Sequence, residues 1–85
     1  MMMAAEAGRT ETVQRLLKST KDLNVQNEFG DTALIAASRG GHADVCKLLL
    51  RSGADAALRN TNRATASDIA KSRGFDGVLK LLEST

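Results

Sequence analysis

Residues 32–55 read TALIAASRGGHADVCKLLLRSGAD, and this stretch decides the fold. Thr32 can accept the orphan amide of a residue two or three positions on, so it is placed to cap a helix. Ala33 to Ser38 then form a short helix of small residues, which Gly40-Gly41 stops. A second helix begins near His42 to Asp44, whose carboxylate suits the positive helix start, and runs through Val45-Cys46-Lys47-Leu48-Leu49-Leu50 until Gly53. The product is an antiparallel helix pair. Working outward, the same columns return at a spacing of 33: Gly8, Gly41 and Gly74; Leu16, Leu49 and Leu82; Ala4, Ala37 and Ala70. Asp22 aligns with Asp55, Asn27 with Asn60, Thr32 with Thr65, Val45 with Val78 and Leu48 with Leu81, without a gap. A gapless repeat of this length implies stacked copies of one small unit.

The connection from Ala54 to Ala64 carries Asp55, Asn60, Thr61 and Asn62, a composition that predicts an extended segment ending in a tight turn. The next pair starts at Thr65, where Thr65-Ala66-Ser67-Asp68 has the form of a capping box with Asp in place of Glu. Alanines on the first helix of each pair permit close stacking on the neighbouring first helix. Leu and Val on the second helix seal an outer layer.

Composition excludes several alternatives. The 85 residues leave room for one domain, near the size where a single core becomes marginal. Two Phe and no Trp or Tyr leave the core to aliphatic residues, which favours close-packed helices over aromatic-rich strands. The single cysteine cannot close an internal disulfide, nor build a zinc site with the lone histidine. A reducing intracellular setting, cytoplasmic or nuclear, is therefore expected. No apolar run approaches the roughly 20 residues of a membrane span, and Met1 to Glu6 lack the features of a secretory leader. Net charge is +2, with both signs interleaved, so nucleic acid is not an expected partner.

These motifs resemble the ankyrin repeat. Thr32-Ala33-Leu34-Ile35-Ala36-Ala37 is similar to that family's T-P-L-H-L-A, Gly41-His42 to its G-H, Val45 to Leu50 to its V-V-x-L-L-L, and Gly53-Ala54-Asp55 to its G-A-D. The resemblance covers essentially the whole chain and implies an all-α solenoid: three stacked helix pairs joined by two β-turn fingers, with units of about 1–31, 32–64 and 65–85 in one domain. The chain departs from the family at Ala33 and Ala66, which replace the motif prolines, and at Met2, Ile35 and Asp68, which replace the motif histidine. Lower stability is expected. Arg63 stands where the preceding finger has Gly30, so it must either accept a left-handed backbone or shift the turn. Thr20 replaces the glycine that Gly53 supplies to the second helix pair. The ends read equally as polar terminal caps or as cuts from a longer array. Met1 and Met3 are expected to fill the columns of Leu34 and Ala36.

A search for chemistry finds Cys46, His42 and Asp44, all in positions the repeat already explains. Cys46 reads as a buried inert thiol and His42 as a turn-fixing residue that bonds backbone. Gly40-Gly41 ends a helix and is not followed by the Lys and Ser or Thr of a phosphate-binding loop. No catalytic, metal or cofactor site is expected, and no small-molecule substrate. The resemblance implies instead a monomeric protein-interaction module that reads a protein or peptide with its turn tips and concave groove. The alternatives are a stoichiometric inhibitor or regulator of an enzyme or transcription factor, and a structural spacer from a longer array. Carried over by motif position, the contact residues are Glu28, Phe29 and Asp31 on the first finger, Thr61, Asn62 and Arg63 on the second, and Arg39 and Arg73 at helix ends; Glu6 and Ala64 occupy related positions. Phe29 is either an exposed anchor or folds over the adjacent turn. Arg39, Arg59, Arg63 and Arg73 would form either a basic strip or ordinary solvated arginines.

Overall fold

A computed structural model describes residues 2–20 and 22–84. Met1, expected in the column of Leu34, lies outside the described residues. The described residues form six helices in three pairs: α1 (Met2–Glu6) with α2 (Thr10–Leu17), α3 (Ala33–Gly40) with α4 (Ala43–Arg51), and α5 (Ala66–Arg73) with α6 (Asp76–Glu83). The inner helices α1, α3 and α5 stack on one another, and α2, α4 and α6 make the outer layer.

Both predicted caps are present. Thr32 Oγ1 accepts the Ile35 amide at 3.2 Å. At the next unit Thr65 Oγ1 accepts the Asp68 amide while the Asp68 carboxylate accepts the Thr65 amide at 3.0 Å, a reciprocal capping box. This arrangement holds the Asp68 carboxyl below its ordinary pKa, chiefly through the Thr65 backbone amide. Each inner helix then ends at a left-handed glycine, Gly41 at φ 74° and Gly74 at φ 73°. Where Thr20 stands in for a glycine, its hydroxyl caps α2 by donating to the Leu16 carbonyl at 2.6 Å.

The middle unit holds the core. Every residue from Asp31 to Ser38 is buried, because α3 is covered by α1, α5 and α4 together. Ala37 and Ala70 are fully buried at the contact between inner helices, and Val13, Val45, Cys46, Leu49, Val78 and Leu82 close the space beneath the outer ones. Ser38 satisfies its hydroxyl on the Leu34 carbonyl at 2.8 Å and lies 3.6 Å from the Cys46 sulfur. Met3 departs from its expected place. It is 86% exposed, whereas Ala36 in the same column is buried, since the outward side of α1 carries no further helix among the described residues.

Units join where a side chain seats on the backbone of the unit before. The His42 ring lies against Gly8 and Gly40, and its Nε2 donates to the Glu6 carbonyl at 2.8 Å. A Cβ on Gly8 would stand 2.5 Å from the ring, and one on Gly40 2.6 Å from it and 2.7 Å from the Glu6 oxygen. One unit later, Phe75 occupies the His42 column and lies over Gly41, 3.0 Å from where a Cβ would stand. These glycines are needed for the closeness of the approach as well as for their dihedral angles.

Gly8 and Gly74 have nearly the same backbone, φ +72° and +73°, but a Cβ on Gly74 would meet nothing within 4 Å. Gly74→Ala should therefore lose only the left-handed strain, about 1 kcal/mol. Gly8→Ala should lose about 1–2 kcal/mol more, because the His42 ring must move. Urea denaturation of both variants checks this, and equal losses would refute the packing account.

Candidate functional site

The two fingers are built by one residue type in one column. In the first, Asn27 Oδ1 accepts the amides of Phe29 and Asp31, both at 2.9 Å, while the Gly30 amide donates to the Asn27 carbonyl at 2.9 Å. In the second, Asn60 Oδ1 accepts the amides of Asn62 at 2.9 Å and Ala64 at 3.1 Å, and the Arg63 amide donates to the Asn60 carbonyl at 2.9 Å. Each asparagine closes its turn from within. Arg63 keeps the left-handed conformation of Gly30, φ 62° against 75°, so the turn does not shift and the arginine carries the strain.

The fingers then pair side by side. Thr61 donates from both its amide and its hydroxyl to the Phe29 carbonyl, at 2.9 and 3.0 Å. Gln26 Nε2 donates to the carbonyls of Gly30 at 2.8 Å and Arg59 at 2.9 Å. At the finger base the Asp55 amide donates to Asn24 Oδ1 at 2.8 Å. Gly30 is required here: a Cβ would stand 2.8 Å from the Thr61 nitrogen.

Between the second finger and the inner helices runs a groove of about 380 Å³, lined by Arg39, Asn60, Asn62, Ala64, Asp68, Ile69, Ser72 and Arg73. Of the residues expected from sequence, it brings together Arg39, Asn62, Ala64 and Arg73. Glu28, Phe29, Thr61 and Arg63 are exposed on the finger tips outside it. Phe29 is 60% exposed, so its ring is not folded away on the adjacent turn. Thr61 is exposed too, yet its hydroxyl is committed to joining the fingers.

Asp31 and Arg39 hold a different position from the one their motif columns suggest. Asp31 is only 4% exposed, and both its oxygens accept from Arg39, at 2.9 and 3.0 Å, in a bidentate pair. Asn60 Nδ2 donates to the same carboxylate at 3.1 Å. One carboxylate thus binds the first finger, α3 and the second finger together. Burial pushes the Asp31 carboxyl up, but hydrogen bonds from Arg39 and Asn60 and the Arg39 charge outweigh it, leaving the pKa below its ordinary value. The pairing with Asp31 raises that of Arg39. Arg39 therefore serves as a fixed wall of the groove. Of the expected basic strip, Arg59 donates to the Arg63 carbonyl at 3.1 Å. The guanidinium groups of Arg63 and Arg73 donate to no other described residue, and of the two only Arg73 lines the groove.

Sequence reading did not single out Ile69, Ser72 or Asp68 as groove residues, although Ile69 is the one large aliphatic residue on α5. The reactive candidates sit as the repeat requires. Cys46 is fully buried and burial pushes its thiol up; His42 is held at the Gly8 joint, and Asp44 lies in the first turn of α4. Among the described residues no group of three His, Cys, Asp or Glu side chains could hold a metal ion. No helix is long and apolar enough to cross a membrane.

The sequence matches the family described as "Ankyrin repeats (3 copies)" over residues 1–85. The chain belongs to the ankyrin-repeat family. It is 38% identical over 79 residues to NAD-capped RNA hydrolase NUDT12 of Homo sapiens, a match covering 93% of this chain and 17% of that protein. It is 40% identical over 70 residues to ankyrin repeat and SAM domain-containing protein 6 of Rattus norvegicus, covering 81% of this chain and 8% of the other. A putative ankyrin repeat protein of Rickettsia bellii is 29% identical over 80 residues, covering 87% and 48%. The chain thus spans less than a fifth of the two mammalian relatives and about half of the bacterial one. Ankyrin repeats are in general protein-interaction modules.

The Asp31 pair yields a test with a defined sign. Because the folded-state pKa is depressed, the stability it contributes is complete above the ordinary value of 3.8 and is lost as pH falls through the lower folded value. Asp31→Asn should lower stability by about 1–3 kcal/mol at neutral pH, and the gap from wild type should close as the pH is taken from neutral to below 3.8. Urea titrations across that range check it; a gap independent of pH would show that the charge of Asp31 is not what stabilises.

Proposed function

We propose that residues 1–85 act as one non-catalytic recognition unit, three helix pairs divided at about 31 and 64, which binds a protein or peptide partner along the groove and finger tips. The observation that carries this reading is the finger pair itself. Phe29, Glu28, Asn62 and Arg63 are exposed on turns whose backbones are fixed by Asn27, Asn60, Gln26 and Thr61. A partner meeting side chains on such a frame loses little free energy to ordering the receptor. Phe29 is the aromatic anchor in this reading, Asn62 and Arg73 are adaptable polar contacts, and Asp31 and Arg39 set the shape of the wall. A stoichiometric inhibitor would use the same surface against an enzyme or transcription factor.

A second reading, a spacer within a larger protein, draws support from the small share of the mammalian relatives that the match covers. The two readings separate in one experiment. The wild-type chain and a Phe29→Ala, Asn62→Ala double variant, matched in helical circular dichroism and melting, are used for affinity capture from cell lysate. Recognition through the fingers predicts a partner kept by wild type and lost by the variant. A partner held equally by both, or none at all, would sink it in favour of the outer helices or the spacer.

A further inference from the structure

Among the described residues, the charges around the groove are unbalanced. Arg39 and Arg73 line it, and Arg59 and Lys71 stand close enough to Asp68 to hold its carboxyl down by their charge. Against these four cations stand three carboxylates, Asp31 and Asp68 and, reaching Arg39 by its charge, Glu6. The two aspartates are occupied: Asp31 by Arg39 and Asn60, Asp68 by the Thr65 amide. Arg39 spends two of its five N–H donors on Asp31 and keeps its orientation, while the guanidinium of Arg73, on α5, has no hydrogen-bond or ion-pair partner among the described residues. The groove's apolar lining is half-buried Ile69 and Ala64, and exposed Ser72 and Asn62 add polar groups to it.

Resting on the recognition reading above, we propose that the partner is an acidic, extended peptide segment of another protein, with carboxylate side chains at alternate positions held by Arg73 and Arg39 and a small apolar residue on the Ile69–Ala64 lining. Alternate residues of an extended strand share one face, so paired carboxylates and intervening small residues present the charge and the apolar contact that this groove offers. A free guanidinium beside a pre-oriented one suits carboxylates, which they can bind through paired N–H donors. Nucleic acid suits it less. An excess of one charge falls well short of the roughly 6–10 phosphate contacts of a salt-sensitive nucleic-acid binder, and no aromatic side chain lines the groove to take a base.

The test is fluorescence anisotropy with a short fluorescein-labelled peptide of alternating Glu and Ala, its counterpart with Gln for every Glu, and a labelled oligouridylate. The Glu peptide should bind the wild-type chain at least about tenfold more tightly than the Gln peptide. Arg73→Glu should abolish that preference and Arg73→Gln should weaken it. Lys47→Glu, an equal charge change on α4 outside the groove, should leave it intact. All variants are first matched in helical circular dichroism and melting. Equal binding of the two peptides, no binding of either, equal loss with Lys47→Glu, or tighter binding of the oligouridylate would each overturn the proposal. If these peptides fail while lysate capture still depends on Phe29 and Asn62, the acidic-partner inference falls and the interaction module stands.

Discussion

Everything in this fold depends on how closely one unit can approach the next, and that distance is set by glycine. The His42 ring rests on Gly8 and Gly40, and Phe75 rests on Gly41, with no room for a methyl group at the first two and little at the third. Alanines on the facing inner helices keep the same spacing. At the fingers Gly30 lets the Thr61 amide reach the Phe29 carbonyl. A chain with two phenylalanines and no larger aromatic residue cannot bury much area per side chain, so its stability comes from many short-range contacts between thin layers.

The groove is a by-product of that spacing. Stacking the inner helices closely and letting the fingers project leaves a concavity between them, and the Asp31 carboxylate then fixes its walls. The carboxylate is buried but fully bonded, by a bidentate guanidinium and an amide, so it avoids the cost of an isolated interior charge. Its two partners, Arg39 and Asn60, belong to different segments, and Asp31 itself to a third. A single side chain thereby converts two turns and a helix into one rigid surface.

The all-α fold, the pairing of helices and both threonine caps were legible in the sequence because they follow from local rules: period, capping geometry and helix-stopping glycines. The column of Gly30 posed the choice at Arg63 between a left-handed backbone and a shifted turn, and the structure takes the first. The groove was less legible. Asp31 and Arg39 sit eight residues apart, on a finger and at a helix end, and nothing in linear spacing says that they meet. Position within a motif put Asp31 among the exposed tip residues, although Asn60 from the next unit helps to bury it. Met3 failed in the opposite sense: its column predicts burial, but burial in a stack depends on a neighbour on both sides. Ile69 and Ser72 line the groove together with Arg39 of the preceding unit, which is again a meeting of segments that linear spacing does not announce.

The seating of His42 on Gly8 and of Phe75 on Gly41 has a directional character. Each joint joins unlike surfaces, a ring from the later unit and a bare backbone from the earlier one, so the contact is head-to-tail and has no two-fold symmetry to close it. Such a joint resembles a translation along the chain. A duplicated or deleted stretch of 33 residues would bring a ring column back over a glycine column, as it does twice here. Growth and loss of repeats by whole periods are thus tolerated by the geometry, while an insertion of another length within the helices would disturb the joint that spans it and leave later joints at their own spacing.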